Sequence, residues 1–342
     1  MATIRDVAER AGVSVGTVSR VLSGNATVKQ RLRERVQAVI EELDYKPNQA
    51  ARALRTNRVD VIGLVVPDIT NPFFAQLAKA IETEAASHGQ FVMLANTHDD
   101  LETESRQIMA LLDRSPRGLI VVASSDSPEA SIDSDVPILS IDRRFRNRPL
   151  ACIDNEHGSI QIAEHLHALG HRSICYISGP PNTEVGRVRQ NGFVQRIRAL
   201  STHDDPIDLE VREGQFSFES GETIGHDIMS GKRANMPSAV AAASDQIAIG
   251  VMRAARDRGL KVPADIALTG FDDIDMSALA YPRLTTIRQP IQALARAVIA
   301  PIIDTSIASH DVKIRGSLIV RGSTVTAESR STVPLAGKAK SN

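Results

Sequence analysis

Apolar residues recur at helical spacing in the first 12 residues of the chain. Thr3 stands where a helix N-cap belongs, and Asp6 three residues later favours the positive end of the helix. Gly12 ends the helix, because glycine readily adopts the left-handed conformation that follows a helix. The apolar face of this predicted helix consists of Ile4, Val7, Ala8 and Ala11.

A second short helix is predicted after Gly12. Ser14 offers its N-cap, and Val18 and Val21 turn towards the first helix. A helix whose N-terminal residues project into solvent can enter the major groove of DNA, with the preceding helix lying across the backbone. The alternative is an ordinary helical hairpin. The residues of the second helix that face outward are Val15, Gly16, Thr17 and Arg20.

A third helix is predicted to cover the first two and to complete a three-helix head. It runs from about Val28 to Leu43, and Thr27 with Gln30 forms a capping box in which Thr27 is the cap. Its apolar stripe consists of Leu32, Val36, Val39, Ile40 and Leu43.

The segment after the head has two interpretations. Pro47 and Asn48 halt the third helix, and the Ala-rich Gln49–Arg55 is too short to be stably helical on its own in water. A partner that packs against this segment would make it helical. Otherwise it is a plain interdomain linker, which Pro47 and Asn48 also suit.

From Val59 onward, apolar runs of strand length alternate with stretches of helical spacing. This pattern predicts parallel sheets covered by helices on both faces, arranged as two similar lobes with a cleft between them. A final strand over Lys313–Val320 closes a lobe, and the tail from Pro334 is polar. The other predicted strands are Val61–Val66, Phe91–Ala95, Gly118–Val122, Ile138–Ile141, Ser173–Ile177, Leu209–Arg212, Ala239–Ala243 and Ile266–Thr269, and the predicted helices are Pro72–Ser87, Glu102–Arg114, Glu184–Leu200, Ser217–Ser230, Asp245–Arg258 and Pro290–Ser306.

The composition shows an uneven distribution of charge and indicates the cellular compartment. Residues 1–58 hold eleven Lys or Arg against six Asp or Glu, while the whole chain carries a net charge of −1, so a basic head precedes an acidic body. The sequence after Met1 has no signal-peptide core and no run long enough to cross a bilayer, and we therefore expect a cytoplasmic protein. Cys152 and Cys175 lack metal-ligand spacing, and both are predicted to be buried thiols.

Polar and aromatic residues follow the predicted strands of the body. Ligands of open parallel sheets bind beyond the carboxyl ends of the strands, so the joint placement of these residues predicts a ligand site. Aromatic faces and charged side chains that make paired hydrogen bonds are the groups that bind sugars. The candidates are Asp68–Phe74, Asp142, Arg143, Arg189, Phe216, Ser244, Asp245, Asp272 and Asp273.

No pattern of residues supports an enzyme or a metalloprotein. His167 and His171 are one helical turn apart, but the sequence places no suitable third ligand near them. Phosphate-binding loops of the GxxxxGK[ST] type, GxSxG elbows and HExxH motifs are absent from the sequence. We therefore expect no catalytic residues, no metal and no cofactor.

The opening MATIRDVAERAGVSVGTVSRVLSG resembles that of the LacI/GalR family of bacterial transcription regulators, and the similarity extends through nearly the whole chain. The resemblance implies three domains: a helix-turn-helix head at 1–45, a hinge at 46–58 and an effector-binding and dimerisation domain at 59–342. It also implies that the hinge orders when two copies pair over the minor groove, and that Leu54 enters between base steps. The residues so assigned to DNA are Thr3, Ser14, Val15, Gly16, Thr17, Arg20, Asn48, Ala51 and Leu54, although Gly16 has no side chain with which to read a base.

The body resembles the periplasmic sugar-binding proteins, and its NPFF, DR, R and FD signatures are similar to those of the ribose-binding members. This implies an α/β body of two parallel-sheet lobes behind the all-α head. Ser244 departs from the pattern, which usually has Asn there. The residues that the resemblance assigns to the ligand are Asn71, Phe73, Phe74, Asp142, Arg143, Arg189, Phe216, Ser244, Asp272 and Gln289.

The resulting hypothesis is a homodimeric transcriptional regulator, most simply a repressor, that binds a pseudo-palindromic operator under the control of a small effector. A neutral monosaccharide is expected, with a pentose such as ribose favoured over a sugar acid or a purine. The rival hypothesis, a periplasmic-type sugar-binding protein without a transcriptional role, gives residues 1–58 no purpose.

Overall fold

The computed structural model describes residues 2–22, 28–45, 60–126, 132–231, 236–307 and 309–324. The chain divides into two compact units, Met1–Val59 and Asp60–Asn342. The first unit contains the helical head, and the second contains the α/β body.

Three helices form the head: α1 (Ile4–Ala11), α2 (Val15–Leu22) and α3 (Gln30–Glu42). Each helix contributes the apolar face that its spacing predicts, and the three faces meet in one small core. Ile4, Leu22, Ile40 and Leu43 pack around its edge. The buried residues of this core are Val7, Ala8, Ala11, Val18, Val21, Val36 and Val39.

Local hydrogen bonds fix the ends of the first two helices as the sequence predicts. The Thr3 hydroxyl accepts from the backbone N–H of Asp6 at 3.3 Å, and the Asp6 carboxylate accepts from the backbone N–H of Thr3 at 2.7 Å, which completes a capping box. Gly12 has a φ of 60° and forms the left-handed C-cap of α1. Ser14 Oγ then accepts from the backbone N–H of Thr17 at 3.2 Å.

The predicted start and cap of the third helix are wrong. α3 begins at Gln30, and its N-cap is Lys29, which makes no side-chain capping bond. A lysine side chain has no acceptor atom, so it cannot bind the free N–H groups of the first turn. Thr27, on which the capping box was predicted, lies outside the described residues.

The body begins with alternating strands and helices that form the first lobe. The strands lie parallel, and the predicted positions of the first four are confirmed to within one residue at each end. A fifth strand, from Leu150, was not predicted. The elements are β1 (Val61–Val66), α4 (Pro72–Ser87), β2 (Phe91–Asn96), α5 (Leu101–Leu112), β3 (Gly118–Val121), β4 (Ile138–Ile141) and β5 (Leu150–Ile153).

The second lobe repeats this pattern around a four-stranded parallel sheet in the order β7-β6-β8-β9. The sequence pattern predicted neither α10 nor β10, and it gave no bounds for α6, a helix of 14 residues. The elements are α6 (Asn155–Ala168), β6 (Ser173–Ser178), α7 (Glu184–Leu200), β7 (Asp208–Glu213), α8 (Phe218–Ile228), β8 (Ala239–Ala242), α9 (Asp245–Asp257), β9 (Ala267–Thr269), α10 (Asp275–Leu279) and β10 (Thr286–Arg288).

The chain then returns to the first lobe as α11 (Ile291–Ile303) and β11 (Val312–Ile314). The last described element is β12 (Ser317–Ile319). β11 pairs with β5, so the first sheet has six parallel strands in the order β11-β5-β4-β3-β1-β2. β12 pairs antiparallel with β10.

The single final strand predicted over Lys313–Val320 is therefore wrong. Two three-residue strands in different sheets replace it, and Gly316 lies between them. A Cβ at Gly316 would lie 2.5 Å from Ile153 Cδ1 and 2.8 Å from the Arg288 carbonyl oxygen. The chain passes here so close to the ends of β5 and β10 that a side chain at position 316 would collide with both.

Each lobe has its own buried core, as expected for sheets covered on both faces. One core joins β1, β3 and β4 to α4 and α11, and another lies in the second lobe between β6, β8, β9 and α6, α7 and α9. No helix among the described residues is long and apolar enough to span a membrane. Cys152 and Cys175 are buried and free, as predicted, and burial raises the pKa of each thiol to about 12.

Candidate functional site

In the head, α2 presents an exposed face opposite its buried valines. Val18 and Val21 are buried in the head core, which fixes the rotation of the helix. Val15, Gly16 and Arg20 are exposed in consequence, and Thr17 is half-buried. This arrangement agrees with the outward face that the sequence predicts for DNA reading.

The other residues assigned to DNA divide into two groups. The hydroxyl groups of Thr3 and Ser14 cap α1 and α2, so both residues already have a structural role within the head in the absence of DNA. Asn48, Ala51 and Leu54 lie outside the described residues. Their roles in a hinge stay predictions.

In the body, most of the residues assigned to the ligand converge on one cleft between the lobes. Nine of the ten predicted residues line it, and Val185 joins them. Its free volume is only about 20 Å³, little more than the space for one water molecule. The lining residues are Asn71, Phe73, Phe74, Asp142, Arg143, Val185, Arg189, Phe216, Ser244 and Asp272.

The first lobe contributes the start of α4 and the turn after β4. Asn71 is the N-cap of α4 and accepts from the backbone N–H of Phe73 at 3.0 Å, with Pro72 in the first turn. Asp142 follows β4 with a φ of 62°. The backbone of Arg143 bridges back to Ile141, so the two charged residues leave the sheet in a tight turn.

The second lobe contributes a buried guanidinium that organises its side of the cleft. Arg189 Nε donates to Asn155 Oδ1 at 2.8 Å, and Nη1 donates to the carbonyl oxygen of Ala243 at 2.7 Å. The same Nη1 lies 3.2 Å from Asp272 Oδ1. The guanidinium also stacks 3.7 Å from the ring centre of Phe271. These contacts fix Arg189 and Asp272 with respect to each other.

Arg143 fills the cleft between two aromatic rings from opposite lobes. Its guanidinium carbon lies 5.2 Å from the ring centre of Phe74 and 5.7 Å from that of Phe216. Distances of this kind are typical of cation–π contacts. Arg143 and Phe216 both line the cleft, whose free volume is small.

The cleft contains two buried carboxyl groups and two buried guanidinium groups. Burial raises the pKa of Asp142, and Arg143 and Arg189 oppose that rise. Burial also raises the pKa of Asp272, while Arg189 and the Gln289 side chain lower it. Asp142 Oδ1 and Arg143 Nε are buried without a hydrogen-bond partner. Such groups are costly to leave unpaired.

Ser244 and Gln289 differ from the other candidates. Ser244 Oγ caps α9 by accepting from the backbone N–H of Ile247 at 3.3 Å, so its hydroxyl already has a partner. Gln289 does not line the cleft; its Nε2 donates to Asp272 Oδ1 at 2.7 Å, and it borders a neighbouring cavity between α4 and α11. Its direct contact with a ligand stays a prediction.

Two residues of the site were missed by sequence reasoning. Asn155 orients Arg189, and it follows β5, a strand that the sequence pattern did not reveal. Val185 lines the cleft from the first turn of α7. The signal that could have found both is position: each stands at the start of a helix that follows a strand, which is where the other candidates lie.

The histidines near the end of α6 have separate partners, and His171 lies beyond the helix, which ends at Ala168. His165 Nε2 lies 2.9 Å from Thr324 Oγ1, His171 Nδ1 lies 3.0 Å from Ser238 Oγ, and His167 Nε2 lies 3.4 Å from Asp205 Oδ2. Each histidine thus serves a different local contact.

Comparison with known proteins agrees with this architecture. Residues 3–48 match the pattern of bacterial regulatory proteins of the lacI family, and residues 163–324 match a periplasmic binding protein-like domain. The transcriptional regulator DegA of Bacillus subtilis is 35% identical over 85% of this chain and 88% of its own length. The ribose operon repressor of Halalkalibacterium halodurans is 32% identical over 96% of this chain and 98% of its own.

Solved structures match the chain as well. The Lac repressor dimer bound to operator and the anti-inducer ONPF matches with a TM-score of 0.78 and 29% identity, covering 95% of this chain and 99% of that one. A periplasmic binding protein/LacI regulator from Alkaliphilus metalliredigens, in complex with D-xylulofuranose, matches with a TM-score of 0.69 and 31% identity, covering 78% of this chain and all of that one.

A DNA-reading helical head followed by a two-lobed body with a polar cleft defines a ligand-controlled transcription regulator. The chain belongs to the LacI family of bacterial regulatory proteins. It is a DNA-binding transcriptional repressor with a sugar-binding-protein-like body, and it is not an enzyme.

Proposed function

We propose that the effector of this repressor is a small neutral monosaccharide, with a pentose such as ribose favoured, and that it binds in the cleft between the lobes. The observation that carries this proposal is a pair of buried atoms in the cleft that lack a hydrogen bond, although Arg143 Nε lies 3.9 Å from Asp142 Oδ2. Asp142 Oδ1 can only accept a hydrogen bond when ionised, and Arg143 Nε can only donate one. A sugar hydroxyl does both, so neighbouring hydroxyls of one ring satisfy both atoms.

The balance of charge supports a neutral ligand over a sugar acid. Two carboxyl groups and two guanidinium groups face the cleft, and Arg189 is already committed to Asn155, Ala243 and Asp272. A ligand carboxylate would compete with the carboxyl groups for the same guanidinium groups and would bring Asp142 close to a second negative charge.

The state of the aromatic faces supports a sugar over a purine. The Arg143 guanidinium carbon already lies 5.2 Å from the ring centre of Phe74 and 5.7 Å from that of Phe216. A stacked base needs such a face, whereas the hydroxyl groups of a sugar bind the polar side chains of the cleft. The names of two similar proteins agree with a five-carbon ligand, since one is a ribose operon repressor and the other was solved with D-xylulofuranose.

The proposed mechanism follows from the closed cleft. A monosaccharide does not fit the free volume of about 20 Å³, so its binding requires the lobes to separate or Arg143 and Phe216 to turn aside. A ligand that binds one arrangement of the lobes better than the other shifts the population towards it. In a dimer this changes the spacing of the two heads, and therefore the affinity for two half-sites.

Calorimetry with a panel of pentoses, hexoses, polyols and sugar acids tests the effector class. Asp272→Asn should abolish the binding of the active sugar, because the carboxylate faces the cleft. Asp275→Asn is the matched control, since it makes the same change at an exposed position three residues away. Heat from the sugar acids alone, or no heat from any member of the panel, would contradict the proposal.

Gel-shift titration tests the head. Scrambling one half-site of a pseudo-palindromic operator should abolish tight binding, because one head offers only one reading helix. Arg20→Ala should relax base preference at one position and cost about 1–3 kcal/mol if Arg20 contacts a base edge in bidentate fashion. Arg31→Ala, on the exposed side of α3, should weaken specific and random DNA alike. Equal losses on both DNAs for Arg20→Ala would remove its assigned role.

A further inference from the structure

Asp245, the first residue of α9, lies at the centre of a buried hydrogen-bond network beside the cleft, and its side chain has no exposed surface. Its Oδ2 accepts from the backbone N–H of Ile274 at 2.9 Å and from Ser277 Oγ at 2.5 Å. Its Oδ1 accepts from Thr286 Oγ1 at 2.5 Å. One carboxyl group therefore joins the start of α9 to α10 and β10, and all three of these donors are uncharged.

The segment held by Asp245 contains two residues in strained conformations. Asp272 has a φ of 115° and Asp273 a φ of 55°. Residues other than glycine keep such angles only where the surrounding structure enforces them. Asp245 encloses both residues, because its backbone N–H donates to the Phe271 carbonyl oxygen at 2.8 Å while its carboxyl group binds the N–H of Ile274.

The approach of the carboxyl group to this turn leaves no space for adjustment. A Cβ at Gly270 would lie 2.2 Å from Asp245 Oδ1. The network also ends on a residue of the site, since Asp272 faces the cleft and contacts Arg189 and Gln289. Asp245 itself does not line the cleft.

We propose that Asp245 is a positioning residue for effector binding: it holds the turn from Phe271 to Ile274 so that the Asp272 carboxylate points into the cleft. This inference rests on the proposed function, because it assigns Asp245 to the same effector site. A residue with a purely structural role would affect the stability of the second lobe without affecting the affinity of the folded protein.

The Asp245 carboxyl group can keep its place in this network in the neutral form. Burial raises the pKa of Asp245, and the nearby charge of Asp272 raises it further. In the neutral acid, the protonated Oδ1 donates to Thr286 Oγ1, and Oδ2 still accepts from Ile274 and Ser277. Asparagine has the same shape and the same arrangement of donor and acceptor, and it therefore provides the conservative variant.

The first test is calorimetry with D-ribose on Asp245→Ala, Asp245→Asn and Val251→Ala. Val251 is buried on the same helix and packs against Gly225 of α8, so Val251→Ala controls for loss of packing in α9. Asp245→Ala should raise the Kd for the sugar by at least about tenfold, the effect of losing roughly one hydrogen bond between the sugar and the Asp272 carboxylate. Asp245→Asn and Val251→Ala should keep a Kd close to that of the wild type.

The second test does not depend on the sugar. In native-state hydrogen exchange, the amides of Asp272 and Ile274 should lose protection in Asp245→Ala and keep it in Asp245→Asn. If Asp245→Ala does not fold, Ser277→Ala and Thr286→Val serve in its place, because each removes one hydroxyl group that donates to the Asp245 carboxyl group.

A wild-type Kd in Asp245→Ala, or an equal loss of affinity in Val251→Ala, would overturn the positioning role. Unchanged protection of both amides in Asp245→Ala would overturn it as well. If the wild type binds no sugar of the panel, the proposed effector class fails, and the exchange experiment alone decides whether Asp245 holds the turn.

Discussion

The replacement of His165 by glutamine should remove a defined pH dependence from the stability of the body. His165 is largely buried on α6, where Nε2 contacts Thr324 Oγ1 at 2.9 Å. Burial, with a smaller contribution from His171, lowers its pKa to about 4. The native protein therefore holds a neutral imidazole at neutral pH. Glutamine places an amide near the same position and cannot take up a proton in this pH range.

The magnitude follows from proton linkage. Below pH 6.5, the ordinary histidine pKa, His165 becomes protonated in the unfolded chain. In the native protein it stays neutral until the pH approaches its lowered pKa of about 4. The native state thus loses stability as the pH falls through this interval, at about 1.4 kcal/mol per pH unit. Relative to His165→Gln, the wild type should lose about 3 kcal/mol between pH 6.5 and pH 4.

Urea unfolding, followed by circular dichroism between pH 4 and pH 8, measures this difference. The curves of wild type and His165→Gln should run parallel above pH 7 and separate below it, with the wild type the less stable. His203→Gln is the matched control, because His203 is fully exposed, and it should follow the wild type throughout. A constant difference between wild type and His165→Gln across the whole range would show that His165 is not held neutral.

Three further predictions concern the head, the hinge and the body. Gly16→Ala should stabilise the head by about 0.5–1 kcal/mol in thermal unfolding, because glycine disfavours helices and the nearest atoms to an added Cβ lie 3.7 Å and 3.9 Å away. If the helix backbone approaches DNA at Gly16, the same variant should bind the operator more weakly. An unchanged operator affinity would argue against such an approach. Leu54→Ala should leave unfolding unchanged and reduce the operator bend seen by fluorescence energy transfer, and an equal bend would remove the wedge role. Arg117→Met should lower the free energy of unfolding of the body in urea by about 1.5–3 kcal/mol, because Arg117 donates to the carbonyl oxygens of Ile302 and Ile303 at the end of α11. A decrease smaller than the error of the measurement would show that water replaces the arginine at these carbonyl groups.

Much of the head could be predicted from sequence because its determinants are local. Thr3 and Asp6 are three residues apart and form their capping box directly. Gly12 ends α1 because it adopts a positive φ, and the spacing of the apolar residues fixes which faces meet. The start of α3 could not be predicted in this way, because its N-cap residue is a lysine and no side-chain hydrogen bond marks the boundary.

The body was predictable to the level of its strands, helices and strand-end residues. Buried parallel strands have continuous apolar sequences, so β1 and β4 were placed with their observed ends. Leu150–Ile153 was missed although β3 and β4 are equally short, because a run that contains Ala and Cys is less typical of a strand than one of β-branched residues. Similarity to known sugar-binding proteins, together with position after a strand, marked nine of the ten residues that line the cleft.

Only the tertiary structure decided what these residues do to one another. The sequence marked Asp245 as a polar residue after a strand, but its burial against Ile274, Ser277 and Thr286 depends on contacts 29 to 41 residues away along the chain. The closure of the cleft by Arg143 depends likewise on Phe216 from the other lobe. Caps and helix faces are set by neighbours within one turn and can be read from the sequence, whereas a partner from a distant segment is fixed only when the lobes pack together.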